Sequence, residues 1–69
     1  SMHLEIRKRG KHKKYYLAHS YRKNGRVLKL RFYLGPNLNE AELEVRKGVG
    51  EREISRRIER LNVIRDPYI

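Results

Sequence analysis

The chain has 69 residues, no cysteine and a formal net charge of +10. That length supports one small domain with a modest core, which argues against an enzyme cleft walled on all sides. The missing thiols exclude disulfides and thiolate metal sites and fit a reducing, intracellular (cytoplasmic) setting, and no run approaches the ~18 apolar residues of a membrane span or shows a signal-peptide pattern.

Ser1-Met2 reads as an expression scar followed by a start methionine. The next stretch, His3 to Arg9, alternates apolar and charged residues as a half-buried strand does. Leu4 and Ile6 then share one face, and Glu5, Arg7 and Arg9 share the other. Gly10 to Lys14 is the expected connecting loop, with its lysines at one end of the sheet.

Tyr15 to Gly35 reads as a β-hairpin about Asn24-Gly25, because both central positions of a type I′ turn need positive φ and this dipeptide tolerates it. A two-residue loop pairs Lys23 with Arg26 and Tyr21 with Leu28, and so on outward. One face then collects Tyr15, Leu17, His19 and Tyr21 opposite Leu34, Phe32, Leu30 and Leu28. The other collects Tyr16, Ala18, Ser20 and Arg22 opposite Tyr33, Arg31, Lys29 and Val27. The first set is a core; the second is a basic surface carrying a cross-strand tyrosine pair.

Asn39 followed by Glu42 is a capping-box spacing, with Leu38 and Leu43 placed to staple the helix start. Leu43, Lys47, Gly50, Ile54, Ile58 and Leu61 recur at steps of three and four, the stripe of a helix laid on a sheet. Gly48 and Gly50 each cost roughly 1 kcal/mol in a helix. They mark a kink, a break into helices over 40–47 and 51–63, or a place where Gly50 lets the helix lie close to the sheet. The expected layout is α+β, in one domain: a three-stranded antiparallel sheet over 3–35 with one face packed by a C-terminal helix within 36–65. A tail over 66–69 follows, read from "DPYI" as the end of an ordered unit.

The charge is lopsided. Residues 1–35 hold 11 Lys/Arg against one acid, Glu5, whereas residues 36–69 hold seven of each. Such a concentration of positive charge points to a polyanion, most often nucleic acid. Catalysis finds no footing, and no cofactor is expected. His3, His12 and His19 have no metal-ligand spacing, no opposed carboxylate pair can be argued, and Ser20 and Ser55 have no neighbouring base. His19, on the core face, reads as a packed, hydrogen-bonded histidine. The helix arginines alternate with acids, so a membrane-binding basic stripe is absent.

The run Tyr15-Tyr16-Leu17, His19-Ser20-Tyr21-Arg22, Asn24-Gly25-Arg26 and Tyr33-Leu34-Gly35, followed by Leu38-Asn39 and Glu42-Leu43-Glu44, resembles the N-terminal segment of archaeal Fic-domain proteins. A hairpin ending in Leu-Gly is also similar to the start of many insertion-sequence transposases. The resemblance spans roughly residues 3–45. Fic proteins transfer nucleotidyl groups with a His-containing loop and a downstream Gly-Asn-Gly-Arg, none of which stands in these 69 residues, so the resemblance implies no activity for this segment. The transposase likeness implies a DNA-binding module. Three strands plus a helix are likewise similar to the DNA-binding domains of some integrases and to plant AP2-type domains, an analogy of fold alone.

The resulting expectation is a small nucleic-acid-binding module that takes nucleic acid on the open sheet face, with duplex DNA favoured and RNA left open as a target. Arg22, Lys29 and Arg31 approach bases or phosphates, and Tyr16, Tyr33 and Ser20 bind backbone. Arg7 and Arg9 share the face, while Lys8, Lys11, Lys13 and Lys14 track phosphates at the sheet's end. The alternative is a regulatory or protein-interaction module whose basic face meets an acidic partner domain of a larger, Fic-like protein.

Overall fold

The computed structural model describes residues 2–63. Three strands, β1 (Met2–Arg9), β2 (His12–Lys23) and β3 (Arg26–Pro36), form an antiparallel sheet in the order β1-β2-β3, and α1 (Glu40–Val63) follows. The expected α+β layout is therefore present, with α1 on one face of the sheet and the other face open.

Asn24 and Gly25 both take positive φ, 52° and 75°, so the hairpin turns where the sequence places it and Lys23 pairs with Arg26. From there the expected register holds out to Tyr16 opposite Tyr33. A β-bulge then intervenes, and Tyr15 lies opposite Gly35 rather than Leu34, which becomes the extra residue on β3. The loop expected over Gly10 to Lys14 is shorter than its composition suggests. Only Gly10 and Lys11 separate β1 from β2, because pairing continues to Arg9 opposite His12. Met2, read as part of a scar, belongs to β1 and pairs with His19. The expected tail over 66–69, and the last positions of the expected helix, lie outside the described residues.

Helix α1 starts with a reciprocal capping box. The Glu42 N–H donates to Asn39 Oδ1 at 2.8 Å, and the Asn39 N–H donates to Glu42 Oε1 at 3.0 Å. The helix runs unbroken through Gly48 and Gly50, so of the three alternatives the close approach is realised. A Cβ on Gly50 would stand 2.9 Å from Leu34 Cδ2 and 3.2 Å from Leu17 Cδ2. The glycine is thus the contact point of helix and sheet. One turn on, Ile54 is fully buried against Tyr15, Leu17 and Leu34, with Phe32, Leu38, Leu43 and Ile58 packed around them.

Polar ties fix the helix at both ends. Asn37 joins the β3 exit to β2, donating its N–H to Lys13 O at 2.8 Å and accepting the Lys13 N–H at 3.0 Å. Near the helix C-terminus, Tyr21 OH donates to Asn62 Oδ1 and Lys23 Nζ donates to Leu61 O, a cation placed where the helix dipole favours one. Arg57 clasps the outer edge of β3, reaching Arg31 O at 3.2 Å with its guanidinium 5.7 Å from the Phe32 ring centre.

The helix lies over β2 and β3. β1 is left at the margin, and Ile6 remains 47% exposed although it faces the core side. His19 also departs from its expectation: its buried Nδ1 has no hydrogen-bond partner among the described residues.

Candidate nucleic-acid interface

Alternation along the three strands places Arg7, Arg9, Lys14, Tyr16, Ser20, Arg22, Lys29, Arg31 and Tyr33 on the open face. Lys11 sits in the β1–β2 turn. Lys8 and Lys13, which pair with one another, belong by the same alternation to the helix side. The expected place of Lys13 with Lys14 in one loop is corrected by β2, which takes up both positions and turns them to opposite faces, so Lys8, Lys11, Lys13 and Lys14 do not form one row.

The open face is not uniformly basic. At its centre the Glu5 carboxylate reaches from β1 across to β3, where Oε2 lies 2.9 Å from Lys29 Nζ and Oε1 lies 3.0 Å from Arg31 Nε. His3 Nε2 stands 3.2 Å from the same Oε2. Between them on β2 is Ala18, opposite His3 on one side and Arg31 on the other, and wholly buried although it faces outward. A methyl group there leaves the room that the carboxylate needs to cross the middle strand. The Glu5 carboxyl is held down at about 2, from an ordinary 4.5, chiefly by hydrogen bonding to Lys29 and then to Arg31.

Toward the β1–β2 turn the character changes. Arg7, Lys8, Arg9, His12, Lys14 and Tyr16 line a groove of about 420 Å³, and no acid is among its walls. The Arg7 guanidinium stands 5.0 Å from the centre of the Tyr16 ring, within cation–π range. Tyr16 leans in turn on Tyr33, centroids 5.3 Å apart and planes tilted by 48°. Arginine, tyrosine and tyrosine thus form a line across all three strands, and Tyr33 at its far end is 46% exposed. Among the described residues none of Arg7, Arg9, Lys11 and Lys14 makes an ion pair.

Family models, curated proteins and solved structures yield no match to this chain. The fold and the chemistry of the face therefore carry the functional argument. No group of three or more His, Cys, Asp or Glu side chains positioned to hold a metal ion occurs among the described residues. Nor is any described helix long and apolar enough to cross a membrane.

Sequence reasoning placed Glu5 on this face but gave it no role. The signal was there: one acid in the row beside Arg31, next to a small residue on the middle strand. His12 was read as a loop residue and instead lines the groove.

Proposed function

We propose that this chain is a small nucleic-acid-binding module that takes duplex DNA on its open sheet face, anchored at the β1–β2 turn end. The observation that carries the reading is the groove there, where Arg7, Arg9 and Lys14 gather beside Tyr16 with no acid lining it. Free cations neutralise phosphates and release counterions, which gives affinity with little sequence preference. Tyr16 and Tyr33 hydrogen-bond phosphates through their hydroxyls, with Ser20 and Arg22 contributing nearer the other turn. Three strands spaced about 4.8 Å apart present a face roughly 10 Å wide between outer strands, close to the ~12 Å width of a major groove. Helix α1 is the scaffold.

The test is fluorescence anisotropy of labelled duplex DNA, single-stranded DNA and duplex RNA at several salt concentrations. Engaging Arg7, Arg9, Lys11 and Lys14 with four phosphates gives a log–log slope of about −3.6 on duplex DNA. Absence of binding to all three probes near physiological salt overturns the reading. A second reading, contact with an acidic partner domain, draws on the exposed Ile6 beside the basic strand end. An apolar contact of that kind responds far less to salt, so the slope separates the two.

A further inference from the structure

Lys29 and Arg31, with the His3 ring beside them, converge on the two oxygens of a carboxylate, the geometry in which cationic side chains grip an oxyanion. The anion they hold is the chain's own. We infer that these three residues form a second phosphodiester site on the open face, that Glu5 fills it in the free protein, and that Glu5 thereby confines a bound nucleic acid to the β1–β2 turn end. The inference rests on the nucleic-acid reading above and adds to it a residue that sets where on the face the polyanion lies.

Three features support an occupied rather than an open site. Both carboxylate oxygens are engaged by cations on the opposite edge strand, so a phosphate arriving there meets two donors already occupied and one of their two charges already compensated. Glu5 is anchored in β1 and pairs with Tyr16, so its carboxylate is held in place by the sheet and competes intramolecularly, at no cost in association entropy. Ala18 is closed off beneath the bridge, with 0% exposure, which shows how closely the side chains lie over the middle strand. With its carboxyl held down at about 2, Glu5 stays ionised and the site stays filled at ordinary pH.

The experiment compares the salt dependence of duplex-DNA binding for the wild type, Glu5→Gln, and Glu5→Gln combined with Lys29→Gln and Arg31→Gln, with circular dichroism as the check on folding. Freeing two cations for two phosphates steepens the log–log slope by about 1.8 in the single variant. The triple variant, which lacks both the anion and the cations, returns to the wild-type slope. Wild-type binding with the same slope in Glu5→Gln overturns this inference and leaves the nucleic-acid reading standing. No binding by any of the proteins overturns both. Should Glu5→Gln fail to fold, Glu5→Thr, an uncharged residue that suits a strand, takes its place with the same expected steepening, and the triple variant serves as the further check. A slope shallower than wild type by about 1.8 means that Lys29 and Arg31 already hold phosphate in the wild type, and the inference fails.

Discussion

Two cations on one face of a strand, two residues apart as Lys29 and Arg31 are, repel each other unless an anion sits between them. Glu5 supplies that anion, and its acidity reports the interaction: the carboxyl falls to about 2, first through Lys29, then Arg31, with His3 contributing less and desolvation acting against them. A folded-state value below the unfolded one adds stability that is fully present above about 4.5 and is lost as pH falls through about 2. The melting temperature of wild type should therefore exceed that of Glu5→Gln at pH 7. The gap should narrow below about pH 4.5 and close near pH 2. A gap that stays constant across this window in melts followed by circular dichroism would show that the bridge adds nothing to stability. Alternation was enough to put Glu5, Lys29 and Arg31 on one face. That the carboxylate crosses a whole strand depended on Ala18, whose small size is visible in the sequence but whose place between His3 and Arg31 needs the three-strand register.

At the scale of an element, α1 shows two glycines of the same composition with opposite roles. Alanine is worth roughly 1 kcal/mol over glycine in a helix. At Gly48 a Cβ would meet only Arg52 Nη1 at 3.6 Å, so Gly48→Ala should raise stability by up to about 1 kcal/mol. At Gly50 the same methyl would press on Leu34 at 2.9 Å, on Leu17 at 3.2 Å and on Phe32 at 3.3 Å. Leu17 and Leu34 are buried and have little room to yield. Overpacking of about 1–3 kcal/mol then exceeds the propensity gain, and Gly50→Ala should lower stability. Urea denaturation midpoints moving in the same direction for both variants would mean that the helix does not depend on this contact. Periodicity placed Gly50 on the stripe facing the sheet; the distance that separates a tolerated glycine from a required one is a property of the packed pair.

Over the whole molecule the helix covers the sheet unevenly. It packs on β2 and β3, so Ile54 is fully buried while Ile6 on β1 is 47% exposed. Ile54→Ala should cost about 2–5 kcal/mol, a large share of the roughly 3–10 kcal/mol that a domain of this size has. Ile6→Ala should cost less than about 1 kcal/mol, since half of its surface already meets water. Comparable losses in denaturant titrations would place the helix centrally over three strands instead. On the opposite, open face the β1–β2 turn end gathers Arg7, Arg9 and Lys14 around a groove with no acid in its lining.

By itself the sequence determined the alternation that sorts two faces, the Asn24-Gly25 turn that fixes the β2–β3 register, the Asn39–Glu42 cap and the confinement of positive charge to one half of the chain. Each of these is local: it follows from side-chain period, backbone φ or spacing over a few residues. The length of the β1–β2 turn, the bulge beside Tyr15, the closeness of Gly50 to the sheet and the pairing of Glu5 with Lys29 and Arg31 were decided by tertiary structure. They depend on which residues of different strands come to lie side by side. Strand pairing overrode the loop-like composition of Gly10 to Lys14, and juxtaposition in space set the one acid among eleven bases between two of them at the centre of the face.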